Sequence, residues 1–517
     1  MHSLKQIHAL LITLSLSQDD PFVSRLISFA ALSDSGNIDY SSKVLLNLPN
    51  PAVFYWNTVI RGYSKSQNPN KSLSLFAKML RDGVLPNYLT YPFLAKASAR
   101  LYKRDIAITI HPHIVKSGYE SDLFISNSLI HMYGSCHDIR YARQVFDGMP
   151  IRNLVSWNSM LDGHAKCKEM DMAREVFDLM PNKDVVSWSS MIDGYVKSGD
   201  YKEALTIFER MRAVGPKANE VTMVSVLCAC ARLGTLDNGR MMHQYMIDNG
   251  FPLTLVLQTS LVDMYAKCGA IQEALVVFRQ VKMFQRDVFI WNAMIGGLAM
   301  HGFVNEALEL FTEMQTVRMI TPDEITFLCL LSASAHGGLV KEAWYFFECL
   351  IKCGMKPKSE HYACMVDALS RAGRVEEAYE FVCQMPVEPT ASMLGALLTG
   401  CMNNGKLDVA EIVGKKLIEL DPDHDGRYVG LSNVYAVFKR WDDARAMREA
   451  MEMRGVKKYP GCSFVEMCGT LHRFIAHDKT HPKSENIYMI LKFIVSQMKD
   501  DVYQIQHHHL LYDMEGV

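Results

Sequence analysis

The chain of 517 residues predicts an all-α fold, a solenoid of stacked helix-turn-helix units. Two observations carry that expectation. An alanine followed four residues later by a phenylalanine recurs as Ala142/Phe146, Ala173/Phe177, Ala204/Phe208, Ala274/Phe278, Ala307/Phe311 and Ala343/Phe347. Successive alanines lie 31, 31, 70, 33 and 36 residues apart, and the gap of 70 is two repeats. Residues four apart share one helix face, so each pair marks a buried stripe: the alanine admits a neighbouring helix and the ring fills the gap beside it. The second observation is that each period holds two helical segments. That is the signature of an array whose units bury their cores only against one another.

Taken in order, Ile7-His8 through Asp19 aligns without a gap with Ile110-His111 through Asp122, so residues 1–19 read as a partial repeat. The short apolar stretch there resembles a signal peptide only superficially; no targeting segment is visible, and a shortened N-terminus is expected. A less regular unit covers 20–52. Regular units follow at 53–87, 88–122, 123–153, 154–184, 185–219, 220–254, 255–287, 288–323, 324–358 and 359–390. In unit 185–219 the first helix runs through Trp188 to Val196, with Ser198-Gly199-Asp200 as the turn. The second helix, Lys202 to Arg212, carries Ala204, Leu205, Phe208 and Met211 on one face, and Gly215-Pro216 ends it. Two diverged pairs, 391–424 and 425–458, keep the spacing through Ala410 and Ala444. From about Tyr459 the pattern becomes a Gly-rich, β-leaning segment, GCSFVEMCGTLHRFIA, and a last helix follows KTHPKSENIY.

Composition narrows the function classes. Apolar content is 49%, and no uninterrupted apolar run approaches the ~18 residues of a membrane span. A net charge of −2 gives no bulk support to nucleic-acid binding, although a solenoid can segregate charge onto one face. The 13 cysteines are scattered singly, many within helical periodicity, as are Cys136, Cys167 and Cys268, and no C-x-x-C occurs. Reduced structural thiols are expected, rather than a disulfide framework or a thiolate zinc site.

The units resemble pentatricopeptide repeats across essentially the whole chain. The resemblance is carried by VVSWSSMIDGYVKSGDYKEALTIFERM, VFIWNAMIGGLAMHGFVNEALELFTEM and NLVSWNSMLDGHAKCKEMDMAREVFDLMPNKD. Tetratricopeptide repeats share the two-helix plan, but their Trp-Leu-Gly-Tyr pattern is missing. Units of about 35 residues ending in Pro-Asn or Pro-Asp alternate with 35-residue units bearing Ile-His or Met-His and with 31-residue units bearing Met-Pro. That alternation resembles the plant subfamily of mixed long and short repeats. EHYACMVDALSRAGRVEEAYEFVCQMPVEP is similar to its terminal short repeat, and the remainder to its C-terminal extension. The resemblance implies a right-handed α-solenoid with an array at 20–390, an extension of repeat-like pairs at 391–458, and a further C-terminal segment at 459–517.

In such proteins each repeat faces one base of single-stranded RNA. A polar residue inside the first helix and the last residue of the repeat read the base edge, while apolar second-position side chains of adjacent repeats clamp its faces. Carried over residue by residue, the resemblance implies reading pairs Asn57/Asn87, Asn127/Asn153, Asn158/Asp184, Ser189/Asn219, Thr259/Asp287 and Asn292/Asp323. The family's code renders these C, C, U, A, G and U. Phe54, Phe124, Val155, Val186, Val256 and Phe289 take the clamp position. Pro92/Asp122, Val224/Thr254, Leu328/Lys358 and Ala363/Thr390 depart from readable combinations. Plainer roles stay open: a terminal Asn or Asp is also a good N-cap for the next helix, and the second-position residues are also compatible with ordinary packing. The Ala/Phe stripe is core.

Some relatives end in a cytidine-deaminase domain, whose zinc chemistry needs H-x-E and C-x-x-C. None of the 18 histidines is followed two places later by glutamate. The run His507-His508-His509 is a weak metal candidate because adjacent side chains do not converge. Cys462 and Cys468 read as packing. No cofactor, metal or catalysis by this chain alone is expected, and no membrane. The resemblance implies a specificity factor for organellar cytidine-to-uridine editing, in mitochondrion or chloroplast. Its partners would be single-stranded RNA and, through about 391–496, a trans-acting deaminase or editing accessory protein. A non-editing factor for RNA stability, processing or splicing, or a scaffold that binds a protein helix, remains the alternative.

Overall fold

The computed structural model describes residues 2–14, 20–317, 320–458, 460–467, 470–475 and 478–502. Cys468 and the His507-His508-His509 run lie outside the described residues. Within them are 28 α-helices, one short 3-10 turn and one two-stranded sheet. The chain divides into two compact units, Met1–Gly234 with Met242–Cys268, and Thr235–Met241 with Gly269–Val517.

In the first unit, helix His2–Thr13 packs on Asp20–Leu32. Six complete pairs follow: Asp20–Leu32 with Ile38–Leu46, Val53–Lys65 with Asn70–Arg81, Thr90–Leu101 with Arg104–Lys116, Leu123–Ser135 with Ile139–Gly148, Leu154–Lys166 with Met170–Leu179, and Val185–Ser198 with Tyr201–Val214. Each first helix packs on its own second helix and on the next first helix, and Glu220–Leu233 and Leu255–Lys267 extend the row. The second unit holds Ile271–Gln280 and five such pairs. These are Val288–Met300 with Val304–Thr316, Glu324–His336 with Val340–Lys352, Ser359–Arg371 with Val375–Gln384, Ala391–Asn403 with Leu407–Leu420, and Asp425–Val437 with Trp441–Met453. Helix Leu236–Asp248 contributes residues to both units. An antiparallel hairpin of Cys462–Met467 and Thr470–Ile475 and a helix, Ser484–Val502, come last among the described residues. The hairpin occupies the β-leaning segment.

Local chemistry sets the helix starts. Asn153, Asp184, Asn219 and Asp323 each accept the backbone N–H three residues on, within a reciprocal capping box. The first helix of unit 88–122 starts two residues into its unit, at Thr90. Pro92 has no N–H to donate and falls in the first turn of this helix, where an N–H would have no partner within the helix. Gly199 ends its helix at φ 89, which glycine adopts without a Cβ clash.

The alternation of small and aromatic residues builds the core. All twelve residues of the Ala/Phe stripe are buried. The phenylalanine of a second helix meets the tryptophan of the next first helix edge to face: Phe146–Trp157 and Phe177–Trp188 at 4.9 Å, Phe278–Trp291 at 5.0 Å. Such pairs add about 0.5–1.5 kcal/mol each beyond area burial. The linker between those helices lays a cation on the same ring, from Arg152, Lys183 or Arg286. First helices approach closely where glycines meet: a Cβ on Gly134 would lie 2.7 Å from Gly163 Cα. Among the described residues no helix is long and apolar enough to cross a membrane.

Candidate nucleic-acid interface

In most of the regular repeats three places recur along the first helix, counted from the first residue of the unit. The second position is apolar and turned to solvent. Phe54, Phe124, Val155, Val186, Val256 and Phe289 are all exposed, from 48% at Val186 to 65% at Phe289. Each of these apolar side chains is left about half in water on a helix whose next residue is buried. Leu89, Val221 and Ile325 occupy the same place and are exposed too. Sequence reasoning passed over these three because the pairs in their repeats were unreadable; their position in the unit was the available signal.

The fifth position lies deeper and is polar. Asn57, Asn127, Ser189 and Asn292 are buried, and Asn158 and Thr259 partly so. Each buried polar group needs a partner. The last residue of the unit supplies it. Asn57 Nδ2 donates to Asn87 Oδ1 (2.9 Å), Asn127 Nδ2 to Asn153 Oδ1 (3.3 Å), Asn158 Nδ2 to Asp184 Oδ1 (3.1 Å) and Asn292 Nδ2 to Asp323 Oδ1 (2.9 Å). Ser189 Oγ lies 3.4 Å from Asn219 Oδ1 and donates to its own helix at Val185 O (2.7 Å). Five of the six expected pairs are thus in contact. Thr259 lies in the first of the two compact units of the chain and Asp287 in the second; Thr259 Oγ1 donates to Leu255 O (2.8 Å), and Asp287 Oδ1 accepts Ile290 N–H (3.1 Å).

The last residue does two jobs with one atom. The oxygen that receives the fifth-position side chain also caps the next helix: Asn153 Oδ1 accepts Ser156 N–H (3.0 Å), Asp184 Oδ1 accepts Ser187 N–H (2.9 Å) and Asp323 Oδ1 accepts Thr326 N–H (2.8 Å). Capping and pairing are therefore simultaneous rather than competing. The other terminal atom is left uncommitted by these bonds, an amide NH₂ in Asn87, Asn153 and Asn219 and a carboxylate oxygen in Asp184, Asp287 and Asp323. One scaffold thereby offers a donor where the residue is Asn and an acceptor where it is Asp. Burial works to raise the Asp184 carboxyl, but the Ser187 N–H, the Asn158 amide, the Ser187 hydroxyl and the Val186 N–H outweigh it and hold it below 3.8. Asp323 is lowered in the same way: burial opposes, and Thr326, Asn292 and Ile325 prevail. Both stay ionised acceptors at neutral pH.

A third recurring place escaped the sequence reading. The last turn of the first helix carries Lys65, Arg100, Lys166, Lys197, Arg232, Lys267 and Arg371. Lys166, Lys197, Lys267 and Arg371 pair with an aspartate four residues earlier. Exposed pairs of this kind are worth little and exchange partners readily, so these cations remain available to an anion. The repeats of Asn57, Asn158, Ser189 and Thr259 combine an apolar blade, a polar edge and a cation, the chemistry of a nucleotide's face, edge and phosphate. Among the described residues no group of three or more His, Cys, Asp or Glu converges as a metal site would.

Comparison with known proteins agrees with this architecture. The PPR repeat model matches residues 124–154, 155–185, 259–285, 325–355 and 360–388, and the PPR repeat family model matches 51–100, 183–232 and 286–336. An E motif model matches 404–466. A pentatricopeptide repeat-containing protein of Arabidopsis thaliana is 58% identical over 511 residues, 98% of this chain and 96% of its own. A second from the same plant, named as mitochondrial, is 36% identical over 604 residues, 96% of this chain and 88% of its own. The crystal structure of the maize pentatricopeptide repeat protein PPR10, 19% identical, covers 86% of this chain and 70% of that one at a TM-score of 0.53, a likeness of fold. PPR10 has also been solved in complex with an 18-nt psaJ RNA element. By its repeats, its E motif and these relatives, the chain belongs to the plant pentatricopeptide repeat proteins that carry an E extension.

Proposed function

We propose that this chain binds single-stranded RNA in a sequence-specific way and acts as a specificity factor for cytidine-to-uridine editing of an organellar transcript, a deaminase being supplied in trans. The observation that carries the first part is the coincidence, within single repeats, of an exposed apolar second position with a hydrogen-bonded pair at the fifth and last positions. Unpaired bases offer both a π-face and a free edge, and a duplex offers neither. The pairs give the string n-C-n-C-U-A-n-G-U-n-n, with n for any base, then three nucleotides and the target C. The E motif match at 404–466 and the mixed repeat lengths favour editing over other RNA roles. Residues of about 391–496 are the proposed recruiting segment. Relatives named as mitochondrial favour an organelle, mitochondrion or chloroplast.

The test is a titration of the purified chain against a single-stranded RNA carrying that string, beside one with its A and G exchanged. Preference for the proposed string by about tenfold or more supports base reading. Equal affinity for both removes the base assignment, and no salt-dependent RNA affinity at all turns attention to protein ligands.

A further inference from the structure

Between a reading pair and the next helix sits a hydroxyl that neither capping nor base contact accounts for in full. It belongs to the third position of the following unit. Thr90 Oγ1 donates to Asn57 Oδ1 (2.8 Å), Ser187 Oγ to Asn158 Oδ1 (2.7 Å) and Thr326 Oγ1 to Asn292 Oδ1 (2.7 Å), while Thr222 Oγ1 lies 2.7 Å from Ser189 Oγ. Each such oxygen also accepts the N–H of the unit's last residue: Asn87 (3.0 Å), Asp184 (3.2 Å), Asp323 (3.0 Å) and Asn219 (3.4 Å). One buried hydroxyl therefore ties the fifth position of one unit to the last residue and to the next helix.

Its distribution follows the reading pairs. Five of the six pairs are followed by Ser or Thr at this place, Ile290 after Thr259/Asp287 being the exception. The four unreadable combinations are followed by Ile125, Leu257, His361 and Met393.

An asparagine amide is nearly symmetric in shape but not in chemistry; turning it over exchanges a donor for an acceptor. With the hydroxyl on Oδ1 and the last residue's oxygen on Nδ2, a turned amide would set oxygen against oxygen and lose the hydroxyl bond. We propose that the third-position hydroxyl is a positioning residue for base discrimination, locking the fifth-position amide of the preceding repeat so that one fixed donor and one fixed acceptor meet the base. This rests on the base-reading proposal above.

The molecule contains its own comparison. Asn57/Asn87 and Asn127/Asn153 are the same pair. In the first, Thr90 grips Asn57. In both, the hydroxyl also lies near the last residue's oxygen, Thr90 Oγ1 3.2 Å from Asn87 Oδ1 and Ser156 Oγ 3.0 Å from Asn153 Oδ1; in the second, the Asn–Asn bond is longer at 3.3 Å, and Asn127 Oδ1 is buried without a partner. Identical readers thus differ in how firmly the amide is held, and the site at Asn57 discriminates more sharply.

The experiment measures affinities of the full chain, by fluorescence anisotropy, for single-stranded RNAs carrying the proposed string with each base, or an abasic nucleotide, opposite Asn57 and then opposite Asn127. The wild type is expected to discriminate more strongly at Asn57. Thr90→Val should reduce discrimination there by about tenfold, the value of one hydrogen bond, with affinity for the abasic RNA preserved. Thr90→Ser should retain it. Thr326→Val and Thr326→Ser repeat the comparison at Asn292, so that a folding defect in one variant leaves the other to decide. Unchanged discrimination in both Val variants, or equal loss in Ser and Val, overturns the proposal. Asn57→Ser separates the two ideas. If it shifts preference toward A while Thr90→Val changes nothing, only the positioning role fails; if neither variant alters preference, base reading falls with it.

Discussion

The Arg286 guanidinium lies 4.2 Å from the centre of the Phe278 ring, with its Nη1 3.0 Å from Glu313 and its Nε donating to Val281 O at 3.1 Å. The side chain is buried, and burial pulls its pKa below the ordinary guanidinium value despite Glu313. It is a linker residue used as a core residue, closing the second helix Ile271–Gln280 onto the first helix Val288–Met300.

Arg286→Ala should therefore destabilise that junction by about 2–4 kcal/mol, through a lost stacked cation and an unpaired backbone carbonyl. Arg286→Lys should recover only part, since an ammonium neither stacks as a plane nor forks between Val281 and Glu313. Hydrogen exchange resolved by segment is the check, because neighbouring repeats need not unfold together. Exchange at 271–300 unchanged in the Ala variant would contradict it.

Two phenylalanines eleven residues apart should behave oppositely. Phe289 is exposed on its helix and Phe278 fully buried. Phe289→Ala should leave thermal stability within about 0.5 kcal/mol of wild type and weaken RNA binding by about 1–3 kcal/mol, the worth of a base-stacking side chain. Phe278→Ala should cost about 3–5 kcal/mol of stability. Melting and anisotropy on both variants decide the matter; an unstable Phe289→Ala would return the second position to ordinary packing.

Thr259→Asn with Asp287 kept should move preference at one nucleotide from G toward U. The threonine hydroxyl is spent on Leu255 O, and an asparagine brings an amide deep enough to meet a pyrimidine edge. Binding to RNAs varied at that one nucleotide is the measurement. Unchanged preference would remove Thr259 and Asp287 as readers.

The array was legible because its signal repeats: Ala142/Phe146 and its successors mark second helices, and a turn such as Ser198-Gly199-Asp200 separates the two helices of a unit. Helix ends were less so. The second helix of unit 185–219 runs Tyr201–Val214, a little beyond its apolar face, because Asp200 caps it one residue early and exposed residues continue it. In unit 88–122 the first helix begins two residues into the unit, at Thr90, with Pro92 in its first turn. The polar pairs could be named from the resemblance, but the sequence did not reveal that one oxygen both caps the next helix and receives the fifth-position side chain, because hydrogen-bond sharing depends on where the next helix arrives. The third-position hydroxyls and the last-turn cations were missed because Ser, Thr, Lys and Arg are common on any helix; only their recurrence against named partners gives them meaning.

Those cations should set the salt dependence of RNA binding. Lys197 is largely exposed and its partner Asp193 shares the helix, so a phosphate can displace the aspartate at little cost. Lys197→Gln should weaken binding about equally for all sequences and make the slope of log affinity against log salt shallower by about 0.7, one single-strand phosphate contact. Titrations at several salt concentrations give the slope. A sequence-dependent loss with the slope intact would place Lys197 at a base instead.

Stability should fall as the solution is acidified through the histidine range. Burial lowers His164 from its ordinary 6.5 even though Glu169 Oε2, 3.0 Å from Nδ1, works against it, and Nε2 is buried without a partner. Burial also lowers His243, whose Nδ1 meets Tyr265 Oη at 2.9 Å, and His111, which meets Tyr133 Oη at the same distance, where Glu120 opposes weakly. A depressed folded pKa means that the unfolded chain takes up the proton first. The contribution of these rings is therefore whole above 6.5 and is lost as pH falls through their folded values. The depressed carboxyls of Asp184 and Asp323 act only below 3.8 and do not enter this window. Melting temperature should drop between about pH 7.5 and about pH 5.5, and His164→Gln, which cannot take up the proton in either state, should make the drop smaller. A pH-independent melt across that range would mean that these rings titrate in the folded chain as they do in the unfolded one.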